Sequence, residues 1–147
     1  MDINLNKRYQ TLIVLWFAIL MNIGVFFLVS IFAGPGNPPT GLPSSLLTFV
    51  LAAVGTLLVV LSFAVKRKLL ERSVDNQDVT LVQKALVIAC AMCEAAALLG
   101  LLERFIVRSS DYYLLFLIAA LGTAFHFPRR EQLEAATYKS STEKPTP

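Results

Sequence analysis

The sequence predicts an all-α polytopic membrane protein, an antiparallel bundle of four transmembrane helices with both termini in the cytoplasm. Three observations carry this. Of 147 residues, 56% are hydrophobic and only 16% charged, where a soluble domain is about half apolar and about a quarter charged, and the mean hydropathy is +0.65. The apolar residues collect into four blocks. Eleven of the thirteen Lys and Arg residues fall on one side of the spans that these blocks define.

The first block follows the basic pair Lys7 and Arg8 and runs from Thr11 to Ala33. No cleavable signal is expected, because this run is longer than the apolar region of a signal peptide and no small-x-small cleavage site follows. Gly34–Ser45 is rich in proline and glycine, carries no charge and reads as a loop. The second block, Leu46–Val65, ends at Lys66, Arg67 and Lys68, and a polar connector continues to Thr80. The third centres on Ala85–Leu102 and is closed by Glu103, Arg104, Arg108 and Asp111. Blocks one to three reach the ~20 residues that a helix needs to cross ~30 Å of hydrocarbon. The fourth, Tyr112–Phe127, has sixteen; Tyr112 and Tyr113 at one end and Phe125, His126 and Phe127 at the other suit interfacial anchoring of a short helix. All four must be helical, because an isolated strand leaves its backbone groups unsatisfied in lipid.

The expected domain is therefore 1–128, with helices at about 11–33, 46–65, 82–105 and 111–127. A polar cytoplasmic tail, 129–147, starts helically at REQLEAA and ends in a Ser/Thr/Pro-rich stretch that reads as disordered. Lys7, Arg8, Lys66, Arg67, Lys68, Arg72, Lys84, Arg129, Arg130, Lys139 and Lys144 lie on one side, and Arg104 and Arg108 on the other. This bias places both termini in the cytoplasm of a multi-pass protein, taken here to sit in a bacterial inner membrane. The basic residues then serve topology and contact with anionic lipid rather than nucleic acid.

One residue asks for a chemical explanation. Glu94 sits at the middle of the third span, and no Lys or Arg shares its depth. An acid at the bilayer centre costs at least ~2.5–3.5 kcal/mol, so the neutral, protonated form is expected at rest. It reads either as a site for a proton, a cation or a partner subunit, or as a carboxyl hydrogen-bonded to another helix. Asn22, midway along the first span, and Thr56, near the middle of the second, share its depth and are its candidate partners.

Small residues predict where helices touch. Ala85, Ala89, Cys93, Ala96 and Gly100 share an arc of about 80° on the third helix, and Thr48, Ala52, Gly55, Val59 and Ser62 form a similar arc on the second. The expected contact is a hairpin along Ala52 and Gly55 against Ala89, Cys93, Ala96 and Gly100. Glu94 then lies about 140° from the centre of its ridge and points away from the second helix.

The stretch LVQKALVIACAMCEAAALLGLLERF, Leu81–Phe105, resembles the carboxylate-bearing helix of the proteolipid subunit c of rotary ATP synthases. The similarity lies in Lys84 before the helix, the small residues before Glu94, Ala95 after it, and Gly100-Leu101 beyond. It covers the hairpin 46–105 and implies that Glu94 would carry a proton or sodium ion. Where that family has a dense glycine ladder, the second span here has Gly55; the connector reads RKLLERSVDNQD, and two further helices flank the hairpin.

Cys90 and Cys93 form a C-x-x-C within the third span, a spacing that elsewhere serves redox chemistry. Midspan thiols lack the electropositive, exposed surroundings that activate cysteine, and they read as small packing residues. His126, the only histidine, reads as an interfacial anchor. No phosphate loop, catalytic triad or metal motif occurs, and no cofactor is expected. The favoured reading is a non-enzymatic structural or accessory membrane protein whose buried carboxyl serves helix packing or partner contact. Its partners would be the lipid bilayer and either other membrane subunits or further copies of itself. The alternatives are a proton- or cation-translocating element centred on Glu94 and a membrane redox protein using Cys90 and Cys93.

Overall fold

A computed structural model describes residues 2–34 and 45–137, and within them every regular element is helical. The loop read over Gly34–Ser45 and the Ser/Thr/Pro-rich end of the tail lie almost wholly outside the described residues. The elements are α1 (Asp2–Phe32), α2 (Ser45–Asn76), α3 (Val79–Leu102), a π-helical turn (Glu103–Val107), α4 (Tyr113–Phe125) and α5 (Arg130–Ala135). Three helices are long and apolar enough to cross a membrane; α4 is shorter, at thirteen residues.

The helices outrun the apolar blocks. α1 begins nine residues before Thr11, and α2 continues through most of the polar connector, RKLLERSVDN. Lys, Arg and Glu are good helix formers, so the helices run on past the ends of the apolar blocks. Chain reversal takes two residues. Gln77 adopts a left-handed conformation, φ 53°. Its N–H bonds to the Val74 carbonyl, and that of Asp78 to the Ser73 carbonyl, the two bonds of a Schellman turn. Asp78 then caps α3, its carboxylate accepting from the Thr80 N–H at 2.9 Å and the Thr80 hydroxyl at 2.6 Å.

α3 is the centre of the bundle. α1, α2 and α4 all pack on it, whereas α1 and α2 pack on α3 rather than on each other. Its buried residues are mostly small: Ala85, Ala89, Cys90, Cys93, Ala96, Ala97 and Gly100. The outer faces of α1, α2 and α4 show the reverse of a soluble pattern, with Phe17, Met21, Val25 and Leu28, then Phe49, Val54, Leu57 and Val60, then Leu117, Leu121 and Phe125 all exposed. Contiguous apolar surface on that scale calls for lipid or another protein to cover it.

The small ridge of α3 serves two neighbours. A β-carbon added at Gly55 of α2 would meet Leu115 of α4 and Ala96 of α3; one at Gly100 would meet Leu115 and Phe116; one at Gly122 of α4 would meet Val59 and Cys93. α4 is thus wedged into the α2–α3 seam. Gly100 faces α4 rather than α2, a correction to the simple hairpin: the ridge is wide enough to seat two helices. Ala52 is half-buried beside this junction, and Ala89, Cys93 and Ala96 are fully enclosed.

Candidate functional site

Glu94 lies on the flank of α3 that α1 covers, and the Asn22 side-chain amide donates a hydrogen bond to its Oε1. Both side chains are half-buried. Ile23, next to Asn22, is buried against Ala97, Phe116 and Ala119, so the amide is aimed by a helix whose neighbouring residue is locked into the core. Glu94 is accordingly only partly covered, because α1 shields one side of α3 and leaves Ala91 and Leu98 exposed beside it. Thr56 does not join them. It is exposed on α2, on the opposite side of α3 from α1, since the ridge face of α2 is the one carrying Gly55 and Val59.

A second polar group, where α2, α3 and α4 meet, was not legible as a group. Gly55, Val59, Ser62 and Lys66 recur at helical spacing along one face of α2, and all four are buried. The Ser62 hydroxyl donates to the Val59 carbonyl at 2.6 Å, and a hydroxyl has one proton. Ser62 Oγ lies 2.7 Å from His126 Nε2, and with its proton assigned to the Val59 carbonyl it accepts from the Nε2–H tautomer of the imidazole. The Cys93 thiol, 3.7 Å from the same oxygen, completes the set. His126 is 1% exposed, its ring 4.4 Å from that of Phe63. The histidine read as an interfacial anchor is instead buried against protein: α4 ends at Phe125, and His126, the residue after it, turns inward onto the α2 ridge. Lys66 Nζ donates to the His126 carbonyl at 3.0 Å, placing a cation where the dipole of α4 is negative.

The seam around Gly122 is tight: a β-carbon added there would lie 3.0 Å from Cys93 Sγ. Cys90 is buried against Leu12, Val82, Leu86 and Leu133. Both cysteines are free thiols, buried among apolar and small residues. Among the described residues, no three His, Cys, Asp or Glu side chains come together as a metal site.

Two further contacts tie α1 in place. Trp16 Nε1 donates to the Thr123 carbonyl of α4 at 2.7 Å, and its ring meets Phe127 edge-on at 5.1 Å. At the other end, Arg104 Nε donates to the Ser30 carbonyl at 3.3 Å and its guanidinium lies 5.0 Å above the Tyr112 ring. Arg104 thereby closes the C-terminus of α1. Glu103 is 2% exposed; it opens the π-helical turn that leads to Arg108, whose φ of 57° reverses the chain.

Comparison of the chain with known protein families, with curated proteins and with solved structures gave no match.

Proposed function

We propose that the chain is a small, non-enzymatic integral membrane protein, a structural or accessory component in which Glu94 holds α1 to α3. Four spans with both termini in the cytoplasm follow from the basic-residue bias. α4, about 20 Å long at 1.5 Å per residue, crosses with Tyr112, Tyr113, Phe125 and Phe127 as collars and local thinning of the bilayer. The observation that carries the reading is the Asn22–Glu94 hydrogen bond: the midspan carboxyl is engaged by a neutral amide of the neighbouring helix. The wide apolar faces of α1 and α2 would meet lipid, a partner's membrane helices or a second copy. A cysteine placed at the exposed Ser110 should label from outside the cell and one at Asn76 only from inside; the reverse would refute the orientation.

Partial exposure of Glu94 favours a competing role as a proton or cation site, the function that the likeness to subunit c would imply. Dicyclohexylcarbodiimide labelling combined with Glu94→Gln separates the two. Under the structural reading, proton flux in proteoliposomes and the purified assembly are the same for wild type, labelled protein and Glu94→Gln. A proton or sodium flux that labelling blocks and Glu94→Gln abolishes would overturn it.

A further inference from the structure

At the inner end of the bundle, the first turns of α1, the start of α3 and α5 enclose a concave surface of about 310 Å³. Arg8 and Thr11 of α1 and Thr80 and Gln83 of α3 form its rim, and Leu12, Val79 and Leu133 form its floor. The floor belongs to the core, since Leu12 and Leu133 are buried with Val82 and Leu86. The polar rim is exposed.

Hydrogen-bonding capacity on this rim is unequally spent. Thr11 donates to the Lys7 carbonyl, and Thr80 donates to Asp78. The start of α3 is already occupied by that carboxylate, so the helix end itself is not the anion holder. The ion pairs among the described residues are Arg67–Glu71 and Arg130–Glu134, which leaves Arg8 and Lys84 outside any salt bridge there. Arg8 lines the surface, and Lys84 is exposed next to the rim residue Gln83; both cations favour the ionised Asp78 carboxylate. Trp16 stands two turns along α1 from Arg8, about 12 Å deeper, the spacing expected between a headgroup-level cation and the hydrocarbon boundary.

We propose that this surface binds the phosphate headgroup of an anionic phospholipid of the inner leaflet. Arg8 and Lys84 hold the phosphate oxyanion, Gln83 donates to it, and Leu12, Val79 and Leu133 receive the glycerol and first acyl carbons. A free phosphate satisfies the cations but has nothing to place on the apolar floor, and it is the floor that favours a lipid. The proposal rests on the membrane placement argued above.

The test uses the full chain in nanodiscs of phosphatidylcholine with and without phosphatidylglycerol, with retained lipid read by native mass spectrometry. Incorporation into the discs tests the membrane placement separately, and a chain that stays outside them overturns both that reading and this one. Once incorporated, the wild type is expected to retain phosphatidylglycerol selectively. Arg8→Gln should lower that selectivity about fivefold, as expected for one cation near the surface, and Gln83→Leu should lower it less. Arg8→Lys should keep most of it, and Arg67→Gln, on a cation paired elsewhere, should leave it unchanged. Both Arg8 and Gln83 are exposed, so these variants keep the core intact. Equal retention by Arg8→Gln, or equal loss by Arg67→Gln, would overturn the site. Inorganic phosphate that displaces the lipid or raises thermal stability by itself would overturn the lipid as the ligand.

Discussion

Asn22 of α1 donates its side-chain amide to the carboxyl of Glu94 on α3, joining at midspan two helices whose other contacts are apolar or lie near their ends. On the proposed membrane placement neither group has water to fall back on, so each depends on the other. Gln at position 94 keeps an acceptor of similar size, and Glu94→Gln is expected to unfold in bicelles within ~0.5 kcal/mol of wild type. Glu94→Leu strands the Asn22 amide and should cost ~1–2 kcal/mol. Equal losses for Gln and Leu would show that the charge of Glu94, not its acceptor, matters.

Ser62 and His126 lock α2 to the end of α4. Ser62→Ala removes the acceptor for a fully buried Nε2–H and should destabilise by ~1–3 kcal/mol, the cost of an unsatisfied buried donor. His126→Leu removes the donor as well, leaves Ser62 bonded to the Val59 carbonyl, and should cost less than Ser62→Ala once size is matched. Denaturant titration of the two variants checks the order.

Glycines separate open from closed helix faces. An added β-carbon at Gly24 meets nothing within 4 Å, whereas at Gly122 it would lie 2.7 Å from Val59 and 3.0 Å from Cys93. Gly24→Ala should leave stability unchanged or raise it by up to ~1 kcal/mol through helix propensity. Gly122→Ala should lower it, since neither a β-branched side chain nor a helix-bound thiol can move away freely. Thermal unfolding of both variants in one detergent provides the comparison.

The long apolar helices and the small-residue ridge of α3 were legible because both are periodic features of one helix at a time. The Asn22–Glu94 contact was half legible: depth along the membrane nominated Asn22 and Thr56 equally, and only the bundle's arrangement, with α1 and α2 on different sides of α3, separates them. His126 was misread because it sits just past an α-helix end, where a cap rather than hydropathy decides whether the side chain faces in or out. Ser62 and Lys66 carried a signal, continuing the buried face of Gly55 and Val59 one turn at a time, but charge at position 66 looked like a boundary. The two-residue α2–α3 turn was hidden because Gln77 holds a left-handed position that sequence patterns assign to glycine or asparagine.

Asp78 gives the inner end a pH dependence. Hydrogen bonds from the Thr80 side chain and backbone, reinforced by Lys84 and Arg8, hold its carboxyl below the usual range. A depressed pKa means that the cap stabilises fully above the unfolded value, about 4, and that this contribution fades as pH falls through the lower folded value. Acidification below pH ~4 should therefore fray the first turn of α3. In Asp78→Asn, which caps without titrating, hydrogen exchange at Thr80 and Leu81 should lose that acid-dependent component.

The central claim is that the midspan carboxyl works as a tether between α1 and α3, and a double-mutant cycle over Asn22→Leu and Glu94→Leu, followed by reversible unfolding in bicelles, tests it most directly. The tether predicts that each single variant strands its partner and that the double variant recovers part of the loss, with a coupling energy of ~0.6–2 kcal/mol. Strict additivity of the two substitutions would contradict it.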